Sequence, residues 1–237
     1  MKENNTVQLT TIPALAASPC YPLPCTIHSG DCLAWLKSLP ANCCDIFTDT
    51  PYNVGKDYET YKDNLPDEQF VEWITAVLVE CKRVANVLTV YVPKKWTLLF
   101  HTVLGQEFQE IILPFRPAGA IRWGFSNQFN KLLTNAKPKR EKPILNVWDN
   151  MPQPGLGFFF REETYNHPGY TSEAITRKVV FELCVSDVIC DPFMGTGTTA
   201  VAALDAGKDF IGCEINPRYI EIANDRIKRF NNAPKLF

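Results

Sequence analysis

The chain has 237 residues, a formal net charge of −2 and 21% charged residues. This length suits one domain with a substantial core. The balanced charge excludes a polybasic binder and a disordered acidic tail. Apolar runs fall far short of the roughly 20 residues that span a membrane, so we expect no membrane segment.

The amino-terminal residues 1–24 are predicted to form a flexible arm. Glu3 comes early, and the apolar stretch Ile12–Ala17 is brief and interrupted by proline, which makes a poor signal peptide. The nine cysteines contain no CxxC pair, and several lie inside apolar runs. We therefore expect reduced core thiols in a cytoplasmic protein, in a bacterium or a phage-infected host, and no metal site.

Alternating helices and apolar strands predict an α/β fold with a mostly parallel sheet. Helical spacing of apolar residues is clearest between residues 67 and 83. The predicted strands cover residues 26–28, 44–49, 86–92, 111–113, 144–148, 185–190 and 210–214. The predicted helices cover residues 32–39, 67–83, 96–104, 171–183, 198–206 and 217–230.

A nucleotide-binding half-site is predicted near the carboxyl terminus. A predicted strand ends at Cys190, Asp191 and a turn containing Gly195 and Gly197 follow, and the next strand ends at Glu214. Glycines permit a sharp turn and close approach of a ligand to main-chain N–H groups, and the carboxylate can accept bonds from both ribose hydroxyls. The GxGxxA spacing also fits an NAD enzyme, and a plain strand-to-helix turn is the bland alternative.

The position of this turn argues for a permuted strand order. Only 42 residues follow Gly195, too few to complete a doubly wound sheet downstream. The remaining strands must therefore come from upstream. The absence of a GxxxxGK pattern argues against a P-loop.

A second motif, Thr48-Asp49-Thr50-Pro51-Tyr52-Asn53, follows an apolar strand. It places a carboxylate, main-chain carbonyls and an aromatic ring at the sheet edge where ligands bind in open α/β proteins. Such a set can accept two hydrogen bonds from an exocyclic amine and stack on a planar base. A turn in which Asp49 caps a backbone N–H is the structural alternative.

Together the two motifs resemble the permuted β group of S-adenosylmethionine-dependent DNA amino-methyltransferases, over about residues 27–229. In that family a D/N/S-P-P-Y/F/W motif precedes DPFxGxGTT, matched here by residues 49–52 and 191–199. The resemblance implies a Rossmann-like methyltransferase fold, with a mostly parallel twisted sheet, helices on both faces and permuted motif order. Residues 25–237 would form one methyltransferase domain.

The resemblance also implies roles for individual residues. Phe193 would pack on S-adenosylmethionine, Glu214 would hold its ribose, and Asp31 would approach the adenine edge. The implied cofactor-binding set is Asp31, Asp191, Pro192, Phe193, Gly195, Thr196, Gly197, Thr198, Glu214 and Asn216.

The implied catalytic set is Asp49, Thr50, Pro51 and Tyr52, with Asp49 and the Thr50 carbonyl accepting the amine and Tyr52 stacking on a flipped base. Thr50 stands where the family usually has proline, so a φ restraint is lost. Residues 167–170 read HPGY where the family tends to read HPTQKP, without the Lys-Pro.

A target-recognition insertion is predicted around residues 123–165. Its basic, aromatic segment is expected to contact the phosphates of double-stranded DNA, and a solvated charged loop is the alternative. The candidate contacts are Trp123, Lys131, Lys137, Lys139, Arg140 and Lys142. The short region indicates a short target or help from a second subunit, and a homodimer is one arrangement that the resemblance allows.

Aspartate at the first position of the catalytic motif is the family's usual choice for adenine N6, so we expect adenine methylation and a restriction-modification setting. The alternatives left open are cytosine N4, an RNA substrate, a catalytically silent homologue that binds cofactor and DNA, and an NAD-dependent oxidoreductase.

Overall fold

The computed structural model describes residues 24–57, 63–114, 129–137, 144–149, 151 and 171–233. In the described part of the chain, seven strands form one sheet. The strands are β1 (Thr26–Ser29), β2 (Cys44–Thr48), β3 (Ala85–Tyr91), β4 (Gln109–Pro114), β5 (Phe129–Thr134), β6 (Val188–Asp191) and β7 (Asp209–Glu214). The helices are α1 (Cys32–Ser38), α2 (Asp67–Val84), α3 (Thr97–Leu104), α4 (Glu173–Glu182), α5 (Thr198–Asp205) and α6 (Pro217–Asn232), with a 3₁₀ turn at Lys94–Trp96.

The strand order is β1-β7-β6-β2-β3-β5-β4, and β5 alone among these strands runs against its neighbours. The late strand β6 lies in the middle of the sheet beside the early strand β2. This insertion of the carboxyl-terminal half between early strands is the permuted order that the short downstream segment predicted.

Helices cover both faces of the sheet, as predicted. The core on one face contains residues of α1, α2 and α3, and the core on the other contains residues of α4 and α5, with Ile227 of α6 packed against it. Helix α2 shows why the sequence pattern worked: Phe70, Ile74, Val77 and Leu78 recur at helical spacing and are all fully buried.

Two predictions near the middle of the chain were wrong. Residues 144–148 were predicted as a strand, but they contribute only an isolated bridge from Val147 to Ile112. Instead, β5 forms within the segment predicted to be a basic recognition loop, because Leu132 and Leu133 are fully buried in the sheet. Strand β6 also begins later than predicted, because the N–H groups of Val185 and Ser186 bond to Asp45 before it starts.

The eight cysteines in the described residues are free thiols, and six of them are buried, which confirms the prediction of core thiols. No described helix is long and apolar enough to cross a membrane. The predicted arm lies outside the described residues except for Pro24, and so does most of the predicted recognition insertion. The division into domains therefore stays a prediction.

Candidate active site

The carboxyl ends of the parallel strands β1, β7, β6 and β2 lie side by side along one edge of the sheet. Both sequence motifs begin at these ends, so the topology brings them together although they lie far apart in sequence. A hydrogen bond of 2.8 Å from Thr48 Oγ1 to Asp191 Oδ1 joins them directly. This edge is where ligands bind in open α/β sheets.

Asp191 holds the two motifs in place. Besides Thr48, its buried carboxylate accepts bonds from Thr199 Oγ1 at 2.6 Å and from the Phe193 N–H at 3.0 Å. Burial raises the pKa of Asp191, and the hydrogen bonds from these three donors oppose part of that rise. Its described contacts are thus internal to the protein, which favours a positioning role over the cofactor contact expected from the sequence.

The glycine turn needs backbone conformations that other residues rarely adopt. Gly195 has φ of 51° and Gly197 has φ of 83°, both in the left-handed region, and Gly197 caps the start of α5. A Cβ at Gly197 would also lie 2.9 Å from the Cβ of Ala223. The turn can therefore form only with glycine at these positions without strain.

Glu214, at the end of β7, offers acceptors beside this turn. Its Oε2 accepts a 2.8 Å bond from the Gly195 N–H, and its Oε1 accepts a 2.8 Å bond from the Asn216 N–H. Burial of this half-buried carboxyl raises its pKa. The Ile215 N–H also donates to this carboxylate. Because a carboxylate can accept about four hydrogen bonds, acceptor capacity remains after these three. That donor and acceptor chemistry fits the two hydroxyls of a ribose.

The other predicted cofactor residues surround Glu214 or support the turn. Asp31 is exposed, caps α1 through a 2.8 Å bond from the Ala34 N–H, and follows the strand that pairs with β7. The Phe193 ring packs edge-on against Trp73, with centroids 5.9 Å apart. Asn216 caps α6 with its side chain, and Pro192 is buried.

Arg226 is a support for the turn that the sequence did not reveal. Its buried guanidinium donates to the Thr196 carbonyl at 2.7 Å and to the Thr196 and Thr198 hydroxyls, and it pairs with Glu173 at 2.6 Å. The hydroxyls of Thr196 and Thr198 therefore contact the protein behind the turn. An arginine nearly thirty residues away carries no local sequence signal of this role.

Asp49 has the properties of an acceptor prepared for a ligand. Its Oδ1 is buried and has no hydrogen-bond partner among the described residues, whereas its Oδ2 accepts a 3.3 Å bond from Thr171. Burial raises the pKa of Asp49 to about 6, opposed by a hydrogen bond from Tyr52 and by the charge of Lys56. A buried acceptor without a partner is costly to the fold, and such groups concentrate at functional sites.

The loop after Asp49 is held from outside by residues that the sequence did not single out. The buried carboxylate of Asp63 accepts the N–H groups of Asn53 at 2.7 Å and Val54 at 3.0 Å. Asn53 itself has a left-handed φ of 54°. The Trp96 ring N–H donates to the Tyr52 carbonyl at 3.0 Å.

These contacts involve the residues just after Thr50, the threonine that stands where the resembled family usually has proline. Thr50 is buried, and its hydroxyl has no hydrogen-bond partner among the described residues. Thr50 keeps the main-chain carbonyl that the predicted chemistry needs, while Asp63 and Trp96 fix the loop that follows it. Long-range contacts therefore hold the residues that follow Thr50.

Changing Asp63 to Asn should lower the turnover number about tenfold while leaving cofactor affinity unchanged. An amide in this place can accept only one of the two N–H groups well, so the loop after Tyr52 loosens; we also expect about 1–3 kcal/mol less stability. Methyl-transfer kinetics and thermal unfolding measure the two effects. Glu68→Gln, an exposed carboxylate nearby on α2, is the control, and an unchanged turnover number in Asp63→Asn would contradict the role.

The two candidate DNA contacts within the described residues lie at different ends of β5: the Lys131 carbonyl accepts the Val92 N–H at the carboxyl end of β3, and Lys137 lies past the other end. Lys131 is half-buried in β5 and pairs with Glu110 at 2.9 Å. Lys137 is exposed, but β5 runs away from the site edge, because Leu132 pairs with Tyr91 and Thr134 with Thr89 further back along β3. The other four candidates, Trp123, Lys139, Arg140 and Lys142, lie outside the described residues.

Comparison with known proteins agrees with this geometry. A family model described as DNA methylase, covering N6 and N4 amino-methyltransferases, matches residues 109–225. The chain is similar to this family over that range, which is just under half of its length. The matched range contains the glycine turn and Glu214, whereas the catalytic loop lies upstream of it.

Similarity to individual proteins extends over most of the chain. The DNA adenine methyltransferase YhdJ of Escherichia coli K12 is 26% identical over 245 residues, which cover 85% of this chain and 82% of YhdJ. The protein TTHA0409 of Thermus thermophilus, solved with S-adenosyl-L-methionine, superposes with a TM-score of 0.62 at 21% identity, covering 89% of this chain and 95% of that one.

The cytosine-N4-specific PvuII DNA methyltransferase also superposes with a TM-score of 0.62, at 14% identity and with 90% and 87% coverage. Similarities at these identities establish the fold. The predicted Rossmann-like methyltransferase fold is therefore confirmed.

Proposed function

We propose that this protein transfers a methyl group from S-adenosylmethionine to the N6 amine of adenine in double-stranded DNA. The observation that carries the proposal is the buried Oδ1 of Asp49, which has no partner among the described residues and lies at the same sheet edge as the glycine turn. The match to the DNA methylase family model and the similarity to YhdJ, named as an adenine enzyme, support it.

The residues at the edge fit the cofactor. Glu214 keeps acceptor capacity for the ribose hydroxyls after its bonds to main-chain N–H groups. Phe193, two residues before the glycine turn, offers a partly buried ring. When bound, S-adenosylmethionine supplies a methyl group on a positively charged sulfur. Asp31 is proposed to approach the adenine edge.

Asp49 and its neighbours would then bind and orient the target amine. Asp49 Oδ1 and the Thr50 carbonyl accept its two N–H bonds, which draws the nitrogen lone pair out of conjugation with the ring. No strong base is required first, because the amine becomes acidic only after it is methylated. Orientation by fixed acceptors can supply up to about 7–11 kcal/mol of the barrier reduction.

Tyr52 is proposed to stack on the base, which must leave the duplex before its amine can reach a buried acceptor. The Tyr52 carbonyl is fixed by Trp96, and Lys56 lies 5.5 Å from the Tyr52 ring centroid. Pro51 stiffens the turn between Thr50 and Tyr52. Tyr52 therefore follows the two proposed amine acceptors closely in sequence, separated from Thr50 by Pro51 alone.

Cytosine N4 is the second candidate, because the cytosine-N4-specific PvuII enzyme has the same fold. The amine acceptors would serve either base, so the choice rests on the aspartate of the motif and on YhdJ. The homodimer, the cytoplasmic location and the restriction-modification setting stay predictions from the sequence.

Transfer of a tritiated methyl group from S-adenosylmethionine to nucleic acid tests the proposal. Unmethylated double-stranded DNA should be labelled by the wild-type protein, and single-stranded RNA should not. Labelling of RNA alone would contradict the DNA assignment. No labelling of either polymer, with cofactor binding intact, would favour the catalytically silent homologue.

A further inference from the structure

A basic turn beside the catalytic loop lies outside the segment that the sequence marked for DNA contact. The 3₁₀ turn Lys94–Trp96 follows β3, which runs parallel to β2 and so ends at the same sheet edge. The Trp96 ring N–H bonds to the Tyr52 carbonyl at 3.0 Å. This bond ties the turn physically to the loop that carries the catalytic motif.

The cations of this region surround that contact. Lys94 and Lys95 are exposed, and Lys94 makes no ion pair with any of the described residues. Lys95 Nζ lies 4.5 Å above the Trp96 ring centroid, and Lys56 Nζ lies 5.5 Å from that of Tyr52. Lys56 and Lys95 therefore each lie over one of two aromatic rings beside the amine acceptors, and Lys94 precedes Lys95 in the same exposed turn.

Among the described residues, one carboxylate forms an ion pair with these lysines, and a phosphate could take its place. Lys95 bonds to Asp67 at 2.6 Å, with side chains 46% and 59% exposed. Exposed pairs of this kind are worth about 0–1 kcal/mol, so a phosphate oxygen could replace Asp67 at little cost. Two further acids lie in or beside the loop. Asp63 is buried and bonded to main-chain N–H groups, and Asp49 is the proposed amine acceptor, on which the charge of Lys56 acts.

We infer that Lys56, Lys94 and Lys95 form a contact surface for the DNA sugar-phosphate backbone beside the flipped base. The inference rests on the proposed function and names where the duplex lies against the described residues. A base that leaves the stack to reach Asp49 brings its own phosphates to this edge. Lysines beside the loop would neutralise the charge of those phosphates. Lys131 is paired with Glu110, and Lys137 lies past the end of β5 that points away from this edge. Neither lysine would provide this contact.

The test is the salt dependence of DNA binding by the full-length Lys94→Gln, Lys95→Gln double variant. A mixed-sequence duplex of about 30 base pairs serves as probe, with anisotropy measured at several NaCl concentrations and cofactor affinity measured separately. We expect binding to weaken about tenfold at moderate salt. The slope of log K against log salt should fall by about 1.8, or about 0.9 per lost phosphate contact.

The control removes the same charge elsewhere. Lys37 and Lys228 are exposed near the ends of α1 and α6, away from the catalytic loop, so Lys37→Gln, Lys228→Gln should keep the wild-type slope. An unchanged slope in the Lys94, Lys95 variant would overturn the inference even if affinity fell. Equal slopes in both double variants would also overturn it, since net charge alone would explain the change.

Asp67→Asn provides an independent check with the opposite sign. Removing this carboxylate frees Lys95, so DNA binding should tighten about threefold. Unchanged or weaker binding in this variant would contradict the contact. Failure of the proposed function looks different: the wild-type protein itself would then neither bind nor label DNA.

Discussion

Replacing Asp49 with alanine is expected to reduce methyl transfer by at least about 10³-fold, while the affinity for S-adenosylmethionine changes little. The variant removes the buried Oδ1 that has no partner among the described residues, and with it an acceptor aimed at the reacting amine. Loss of one preorganised partner typically costs about 10²–10³-fold, and here orientation is lost as well. Single-turnover transfer and equilibrium cofactor binding measure the two quantities.

The same side chain should show a cost to the fold. Burial raises the pKa of Asp49 to about 6. The folded protein therefore binds this proton more tightly than the unfolded chain does, and stability is lost as pH rises from about 4 to about 6. At pH 7, Asp49→Asn should be about 1–3 kcal/mol more stable than wild type, and this difference should shrink toward pH 5.

Activity should have the opposite pH dependence. Only the ionised carboxylate can accept both an amine N–H and its protein donors, so turnover should fall as pH drops through about 6. The Asp49→Asn variant thus separates stability from function, because we expect it to be more stable than the wild type and yet inactive. A variant that is inactive and also less stable would indicate that Asp49 is a structural residue.

Replacing Glu214 with alanine should weaken S-adenosylmethionine binding by about 10²–10³-fold without weakening DNA binding. Its two oxygens are the acceptors proposed for the ribose hydroxyls, and hydrogen bonds to a charged group are worth about 1.5–3 kcal/mol each. The turn would loosen too, because Glu214 also holds the N–H groups of Gly195 and Asn216. Calorimetric titration with the cofactor measures the loss directly.

Glu221→Ala is the matched control for Glu214, since it removes an exposed carboxylate on α6 close in sequence. It should leave cofactor affinity within about twofold of wild type. A change of less than about threefold in Glu214→Ala would mean that the ribose is held elsewhere along the edge.

The elements that the sequence predicted well are those whose signal is local. Helix α2 was predicted from its apolar spacing and ends within one residue of the predicted boundary. The glycine turn was recognised because left-handed conformations at Gly195 and Gly197 demand glycine. The permuted strand order followed from the short chain length after that turn.

The parts that were missed depend on contacts across long sequence separations. Strand β5 was hidden by its basic neighbours, and its burial is evident only when it lies between β3 and β4. Asp63 and Arg226 act on loops 10 and 30 residues away, which no motif spacing reveals. Placement of Lys137 likewise required the direction of β5, which the sequence does not specify.

The measurement that tests the central claim most directly is mass spectrometry of nucleosides from unmethylated DNA incubated with the wild-type protein and S-adenosylmethionine. We expect N6-methyladenine, from the aspartate of the motif and the similarity to YhdJ, and we expect it to be absent when Asp49→Ala replaces the wild type. N4-methylcytosine would retain the mechanism but overturn the base assignment. No modified nucleoside, from a protein that binds the cofactor, would contradict the claim that Asp49 and the glycine turn form a methyl-transfer site for DNA.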